Sequence, residues 1–263
     1  MEVRESTSPA AAVQREFSRI ASTYAWLTAR PAAREARALI RWIELRPKDW
    51  VLDAACGPGV LARSLALRSS RVCALDLCPR MIEAARSGRL RSRTSVWYTV
   101  GQVERLPYRS GSFNLVTCAY AFANVPQPLE ALREFARVVR RGGRIVVVDV
   151  VAPEDPGRCA GLNRLEALRS CAPTRILKRS EFVDLFAAAH LRLLACRMGQ
   201  RQGSLRGWLQ LSPAAAHPRQ RQRLRRAFLD SISGDQASLR ARFVGRELIF
   251  RHTVAWFLLR REN

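Results

Sequence analysis

Short apolar runs alternate along this chain with longer stretches whose apolar residues recur at helical spacing. Residues 10–29 read as a partly amphipathic helical lead-in. Pro31 is placed to open a second helix over 32–45, with Leu39, Ile40, Trp42 and Ile43 on its apolar side. A first strand, Trp50-Val51-Leu52, stops at Asp53 and is followed by a Gly-containing loop and a helix to about residue 67. A second strand over 71–75 ends in Asp76, and Pro79 starts the next helix. Strands follow over 95–100 and 113–118. A helix over 128–139, stopped by Gly142-Gly143, leads to a fifth strand over 144–151. That strand is apolar almost throughout, as expected of one covered on both faces. Strands alternating with helices predict a parallel, doubly wound α/β sheet.

The second half is less regular. Residues 155–178 read as an insertion with a helix over 162–169, and 180–189 as a helix capped by Ser180. A sixth strand is expected over 191–196, helix broken at Pro213 and Pro218 over 205–230, and a last strand or hairpin arm over 247–259.

The block Asp53-Ala54-Ala55-Cys56-Gly57-Pro58-Gly59 joins a strand to a helix through a tight turn, which presents backbone N–H groups and a helix N-terminus to a ligand. In an open α/β sheet, ligands sit at the carboxyl ends of the strands. Asp76, ending the next strand, can accept from both hydroxyls of a ribose. Gly57-x-Gly59-x-x-Ala62 with Asp76 beyond it also fits a dinucleotide fingerprint. Asp53 argues against that reading, since a carboxylate there repels a pyrophosphate and attracts a cation such as an ammonium or sulfonium. A nicotinamide-dependent oxidoreductase is therefore the lesser alternative.

Taken in order, these motifs resemble the class I S-adenosylmethionine-dependent methyltransferases, over about residues 17–151. The first motif of that family usually reads Asp-x-Gly-Cys-Gly-x-Gly; here Ala55 stands at the first Gly, ahead of Gly57 and Gly59. By resemblance Asp76 is the ribose ligand and Leu77 packs on the adenine. Gln102 takes the place of the Asp that meets the adenine amino group, beside Val103. Phe17-Ser18-x-Ile20-Ala21-x-x-Tyr24 is similar to an N-terminal helix whose Tyr reaches the methionine end of the cofactor. Asn124-Val125 is similar to a segment of the ubiquinone- and menaquinone-biosynthesis C-methyltransferases, with Ala123 in place of their Arg. Cys118, ending the fourth strand, is counted with the cofactor residues, although core is its ordinary use. The resemblance implies a seven-stranded, mostly parallel Rossmann-like sheet. It divides the chain into N-terminal helices (1–46), a cofactor-binding core (47–151) and a remainder (152–263) that completes the sheet and covers the acceptor. It further implies S-adenosyl-L-methionine as cofactor, no metal, and methyl transfer to a small-molecule acceptor such as a quinone-like or phenolic intermediate.

No residue stands out as a general base. Tyr120 and Asn124 follow the fourth strand and are candidates for orienting substrate. His252, in the last strand, is the one histidine placed for an active-site role, and His190 and His217 read as structural or solvated. Trp208, Phe228, Phe243, Phe250 and Trp256 are candidates to line an acceptor pocket, though such aromatics are more often core.

Composition changes this picture little, and charge changes it somewhat. With 48% hydrophobic and 25% charged residues, the chain of 263 has the make-up of a globular protein. No apolar run is long enough to span a bilayer and the N-terminus lacks a signal core, so a cytoplasmic protein is expected. Its seven cysteines include no CxxC pair and read as reduced thiols. The net charge of +23 is carried almost wholly by Arg, with Lys only at Lys48 and Lys178. Arg-rich stretches at 86–93 and 219–226 make an anionic membrane surface a candidate partner, and RNA or protein methylation the alternative function. The spread of Arg over the whole chain, with no recognisable RNA-binding module, keeps nucleic acid second to a small molecule.

Overall fold

Five parallel strands, four of them buried, form the centre of the protein, and in a computed structural model their register decides where everything else lies. The structure describes residues 8–69, 71–88 and 95–262. β1 (Trp50–Ala54) lies between β2 (Arg71–Asp76) and β4 (Phe113–Ala119); β3 (Val96–Val100) adds outside β2 and β5 (Val139–Val150) outside β4, all parallel. β8 (Glu247–Arg261) runs antiparallel to β5, and β6 (Leu191–Ser204) antiparallel to β8. The order is β3-β2-β1-β4-β5-β8-β6, the expected seven-stranded, mostly parallel sheet. An eighth short strand, β7 (Arg242–Val244), forms a hairpin with β8.

Helices cover both faces, which is why the central strands are apolar on both sides. One face carries α4 (Pro128–Val138) and α6 (Arg179–Ala188), whose Phe135, Phe182 and Phe186 pack on Leu52, Val116 and Phe257. α4 shows why such segments are helices: Pro128 opens it, and Ala131, Leu132, Phe135 and Val138 fall on one buried stripe. The other face carries α2 (Val60–Ala66), α3 (Pro79–Ser87) and the end of α1 (Pro9–Trp42), with Leu39, Ile43, Leu65 and Ile82 against Val51, Val72 and Val146. A third cluster joins α5 (Pro156–Arg169), α7 (Leu205–Gln210) and α8 (Pro218–Asp230) to Leu248 and Phe250 of β8.

Several sequence expectations are corrected. α1 is one helix of 34 residues, capped by Ser8, with Pro31 inside it rather than opening a second. The proline removes the N–H that would have bonded the Leu27 carbonyl, at a typical cost of about 3 kcal/mol. Burial of Thr28 on one side and Ala36 and Leu39 on the other carries the helix through. α4 ends without help from Gly142-Gly143. The chain enters β5 at Val139, and Gly142, at φ 69°, lies in the irregular stretch before regular pairing resumes at Arg144. β6 continues eight residues past the expected end at 196, because β8 pairs with it throughout. α5 starts earlier than expected, capped by Asp155. Ser180 is inside α6 rather than capping it, and donates its hydroxyl to Glu154 at 2.7 Å. Among the described residues no helix is long and apolar enough to cross a membrane. All seven cysteines are unpaired, four of them buried.

Candidate active site

The parallel strands β1, β2 and β4 end side by side, and the polar residues at those ends face one space. After Asp53 the chain turns through Ala55 (φ 56°), Gly57 (φ 52°) and Gly59 (φ 71°) into α2. Glycine enters that left-handed region freely, whereas Ala55 does so at a cost. The loop is pinned to β2: Cys56 donates its N–H to the Leu75 carbonyl at 2.9 Å, and Gly57 donates to Oδ2 of Asp76 at 2.7 Å. Oδ1 of Asp76 accepts the Cys78 N–H at 2.9 Å. Burial raises the Asp76 pKa, and the Cys78 and Gly57 N–H groups oppose the rise.

Asp53 lies opposite Thr117 in the β1–β4 register, and the threonine hydroxyl donates to its Oδ1 at 2.8 Å. Oδ2 is buried and has no hydrogen-bond partner. Desolvation pushes this carboxyl up to about 7, against the Thr117 hydrogen bond. A third carboxylate, Asp149 near the end of β5, accepts from the N–H groups of Ala121 and Phe122 at 3.0 and 2.8 Å and of Val150 at 2.7 Å. It fixes the loop after β4, and burial raises its pKa to about 6.

Two cavities meet here. The first is bounded by Asp53, Ala55, Gly57, Asp76 and Leu77, by Gln102 and Val103, and by Tyr24 from α1. The second lies between α1, β6, α7 and β8 and includes His252, Trp208 and Phe250. Phe17, Tyr24, Thr28, Tyr120, Asn124 and Arg201 border both. α1 therefore roofs the pair, with Phe17 and Tyr24 edge to face at 6.1 Å. Tyr120 stands at the junction with φ 58°, a strained conformation for an aromatic residue and the kind held at functional sites. Its hydroxyl donates to Glu35 of α1, and the Arg201 guanidinium lies 4.3 Å from its ring centre.

Most sequence-predicted site residues are thus brought together, and three are not at the first cavity. The Cys118 side chain is buried in the core beside Ala54 and Val147. Gly59 is packed under Ala85 and Tyr98, where a Cβ would come within 2.9 Å of each. His252 borders only the second cavity. Among the aromatic candidates, Trp208 and Phe250 line the second cavity. Phe228 is core behind them, Trp256 packs on Trp42 at 5.8 Å, and Phe243 is exposed. Sequence reasoning missed Asp149, Arg201 and Glu35. Asp149 had a signal, an acid inside the apolar run of β5; Arg201 and Glu35 had none.

The first cavity is acidic in a strongly basic protein. Asp53, Asp76 and Glu104 border it, against Arg201 as its one basic residue. That lining suits a cation, and the unpartnered Oδ2 of Asp53 supplies a buried acceptor for an ammonium. The donor set therefore fits S-adenosylmethionine and opposes a pyrophosphate.

Comparison with known proteins agrees. Residues 52–147 match the model of a methyltransferase domain family. The chain is 32% identical over 154 residues to the uncharacterized methyltransferase YcgJ of Bacillus subtilis (strain 168), a match covering 58% of this chain and 61% of that protein. Over 96 residues it is 40% identical to the ubiquinone biosynthesis O-methyltransferase of Xanthomonas oryzae pv. oryzae (strain PXO99A), covering 36% of this chain and 40% of that protein. The match thus spans less than two thirds of each relative. The crystal structure of YcgJ superposes with a TM-score of 0.78 at 24% identity, over 88% of this chain and 99% of that one, and so shares the fold. The matched stretch, 52–147, contains the first cavity's Asp53–Gly59 loop, Asp76 and Gln102; α1 and the chain beyond 147 supply most of the second cavity.

Proposed function

We propose that the protein is an S-adenosylmethionine-dependent methyltransferase acting on a small-molecule acceptor. The observation that carries this reading is an acidic cavity that shares six bordering residues with a second cavity roofed by α1. Asp76 would hold the ribose hydroxyls, Leu77 and Val103 the adenine, with Gln102 at its amino group. Asp53 and the turn through Gly57 would hold the methionine end, below Tyr24. The bound cofactor supplies an electrophilic methyl group on a sulfonium. The protein's part is to align an acceptor atom with it and exclude water, and alignment alone can contribute much of the acceleration. Tyr120 and Asn124, bordering both cavities, are placed to orient the acceptor. Residues 152–263 serve as the acceptor-covering part.

A small molecule is favoured because α1 closes over the junction, anchored at Glu16 and Glu35. The alternative, methylation of RNA or protein, draws on α8, where Arg219, Arg221, Arg223, Arg225 and Arg226 are all exposed. The other Arg-rich stretch keeps Arg86, bonded to the Tyr98 carbonyl, and its residues 89–93 lie outside the described residues. Calorimetry with S-adenosylmethionine and with NAD tests the cofactor: binding of the first and not the second is expected, and the reverse overturns the reading. A radiolabelled methyl-transfer screen over quinols, phenols and RNA tests the acceptor. Label in RNA alone would favour the alternative.

A further inference from the structure

The second cavity contains six ionisable groups apart from tyrosines, and four of them are neutralised or fully bonded from within. Glu16 accepts from the Ser170 hydroxyl and from the N–H groups of Cys171 and Ala172, at 2.6–2.8 Å. Asp149 is bonded to three backbone N–H groups. Glu166 pairs with Arg169 at 2.7 Å and accepts the Trp208 indole N–H at 3.0 Å. The remaining two, Arg201 and His252, are directly opposite each other in the β6–β8 register, so their side chains leave the same face of the sheet. Arg201 has no ion pair among the described residues, and Nδ1 of His252 is buried without a hydrogen-bond partner.

We propose that Arg201 and His252 form an oxyanion-binding and proton-accepting pair for an acceptor bearing an acidic hydroxyl, a phenol or enol, which is methylated on oxygen. This rests on the methyltransferase reading above. Two positive charges would meet at the junction, the guanidinium and the cofactor's sulfonium, and an oxyanion between them is attracted by both, as a neutral acceptor is not. Arg201 borders both cavities, the position from which it can hold the reacting oxygen, and its plane is set by the Tyr120 ring. In the step itself the acceptor O–H bond breaks and its proton passes to Nδ1 of His252. The oxygen's electron pair forms the new O–CH3 bond, the C–S bond breaks with its pair left on sulfur, and the imidazolium then returns the proton to solvent. The groups facing His252 are Glu166 and Arg169 of α5 and Arg201 of β6. Burial lowers the imidazole pKa, the two arginines add to this and Glu166 opposes it, which leaves the ring neutral and able to accept. Arg201 faces Tyr120, Tyr24, Glu35 and Asp149, and its charge is retained.

The first test uses the full chain without cofactor and 4-nitrophenol, whose absorbance reports its ionisation. The bound phenol is expected to ionise about one pH unit lower than the free one, a tenfold preference for the anion. Arg201→Gln should abolish that shift while circular dichroism stays native. Equal affinity for neutral and ionised nitrophenol, or a shift that survives Arg201→Gln, overturns the proposal. In the transfer assay with a phenol, His252→Gln should lower kcat by about 100-fold with little change in KM, and the loss should narrow as pH rises and the acceptor ionises in solution. An unchanged kcat and pH profile overturns the proton-accepting role. A nitrophenol shift in a chain that binds no S-adenosylmethionine would refute the methyltransferase reading and leave the anion site standing. Cofactor binding without the shift would do the opposite.

Discussion

Gly57 donates its backbone N–H to the Asp76 carboxylate at 2.7 Å, so the loop after β1 and the end of β2 form one rigid unit before any ligand arrives. Each carboxylate oxygen takes one backbone N–H and keeps a second acceptor direction for a ribose hydroxyl. Asp76→Ala should therefore weaken S-adenosylmethionine by at least about tenfold. It should also destabilise the apo protein by about 1–3 kcal/mol, because the buried Cys78 N–H and the half-buried Gly57 N–H lose their acceptor. Asp76→Asn keeps an acceptor oxygen and should lose less stability. Calorimetry and urea unfolding separate the two effects; full affinity in Asp76→Ala would refute the ribose assignment.

Asp53 gives the site a pH dependence of definite sign. Burial pushes its carboxyl up to about 7 in the folded protein, well above the ordinary carboxylate range. The folded apo protein holds this proton more tightly than the unfolded chain, so its contribution to stability is full below pH ~4 and is lost as pH rises through ~7. Asp149, raised to about 6, acts in the same direction. Cofactor binding runs oppositely, since a cation favours ionised Asp53. Affinity should rise as pH rises through ~7, with proton release below that, seen as buffer-dependent heats of binding. Asp53→Asn should flatten both profiles. A pH-independent affinity in the wild type would show that Asp53 does not meet the cation.

The two acids Asp53 and Asp76 were legible because each ends a short apolar run, and a strand-end carboxylate beside a Gly turn has few other uses. The doubly wound order was legible for the same local reason. What sequence could not show depends on distant pairing. β6 reads as ending near 196 because the residues after it are polar, yet β8 pairs with them to Ser204 and so carries Arg201 to the junction. Tyr120 and Glu35 meet across 85 positions, and Glu16 and Ala172 across 156, with no local pattern that announces either. α1 reads as two helices because Pro31 is a strong local breaker; packing on both sides of it prevails.

Ala55 occupies a position with φ 56°, where its Cβ crowds the following carbonyl at a cost of roughly 1–2 kcal/mol. Ala55→Gly relieves that strain and adds some unfolded-state entropy against it. The net outcome should be a stabilisation of about 0.5–1 kcal/mol, with cofactor affinity maintained or improved. Thermal and urea unfolding of the variant measure this. A destabilised variant would mean that the methyl group contributes packing in the cavity wall that outweighs the strain.

The N-terminal half of the roof over both cavities is tied down by one carboxylate. Oε2 of Glu16 accepts three hydrogen bonds from the segment after α5, namely from Ser170 Oγ, Cys171 N and Ala172 N, and Glu16 is only 3% exposed. Removing it takes that partner from the buried Ala172 N–H, from the N–H of the exposed Cys171 and from a hydroxyl, at a cost of about 1–3 kcal/mol for a fully buried group. At the other end, Glu35 holds Tyr120, so the N-terminal half of α1 is the part Glu16→Ala should free. Hydrogen exchange should accelerate in residues 9–28 and 170–172 while β1, β2 and β4 keep their protection, because local opening need not disturb the sheet. Phe17, Tyr24 and Thr28 of α1 border both cavities, so freeing this half of the helix widens access to them. The variant should admit S-adenosylmethionine faster but hold it less tightly, with a larger change in the dissociation rate than in the association rate. Stopped-flow binding together with exchange mass spectrometry checks both. If Glu16→Ala instead unfolds the sheet as a whole, α1 is an integral part of the core and not a separable roof.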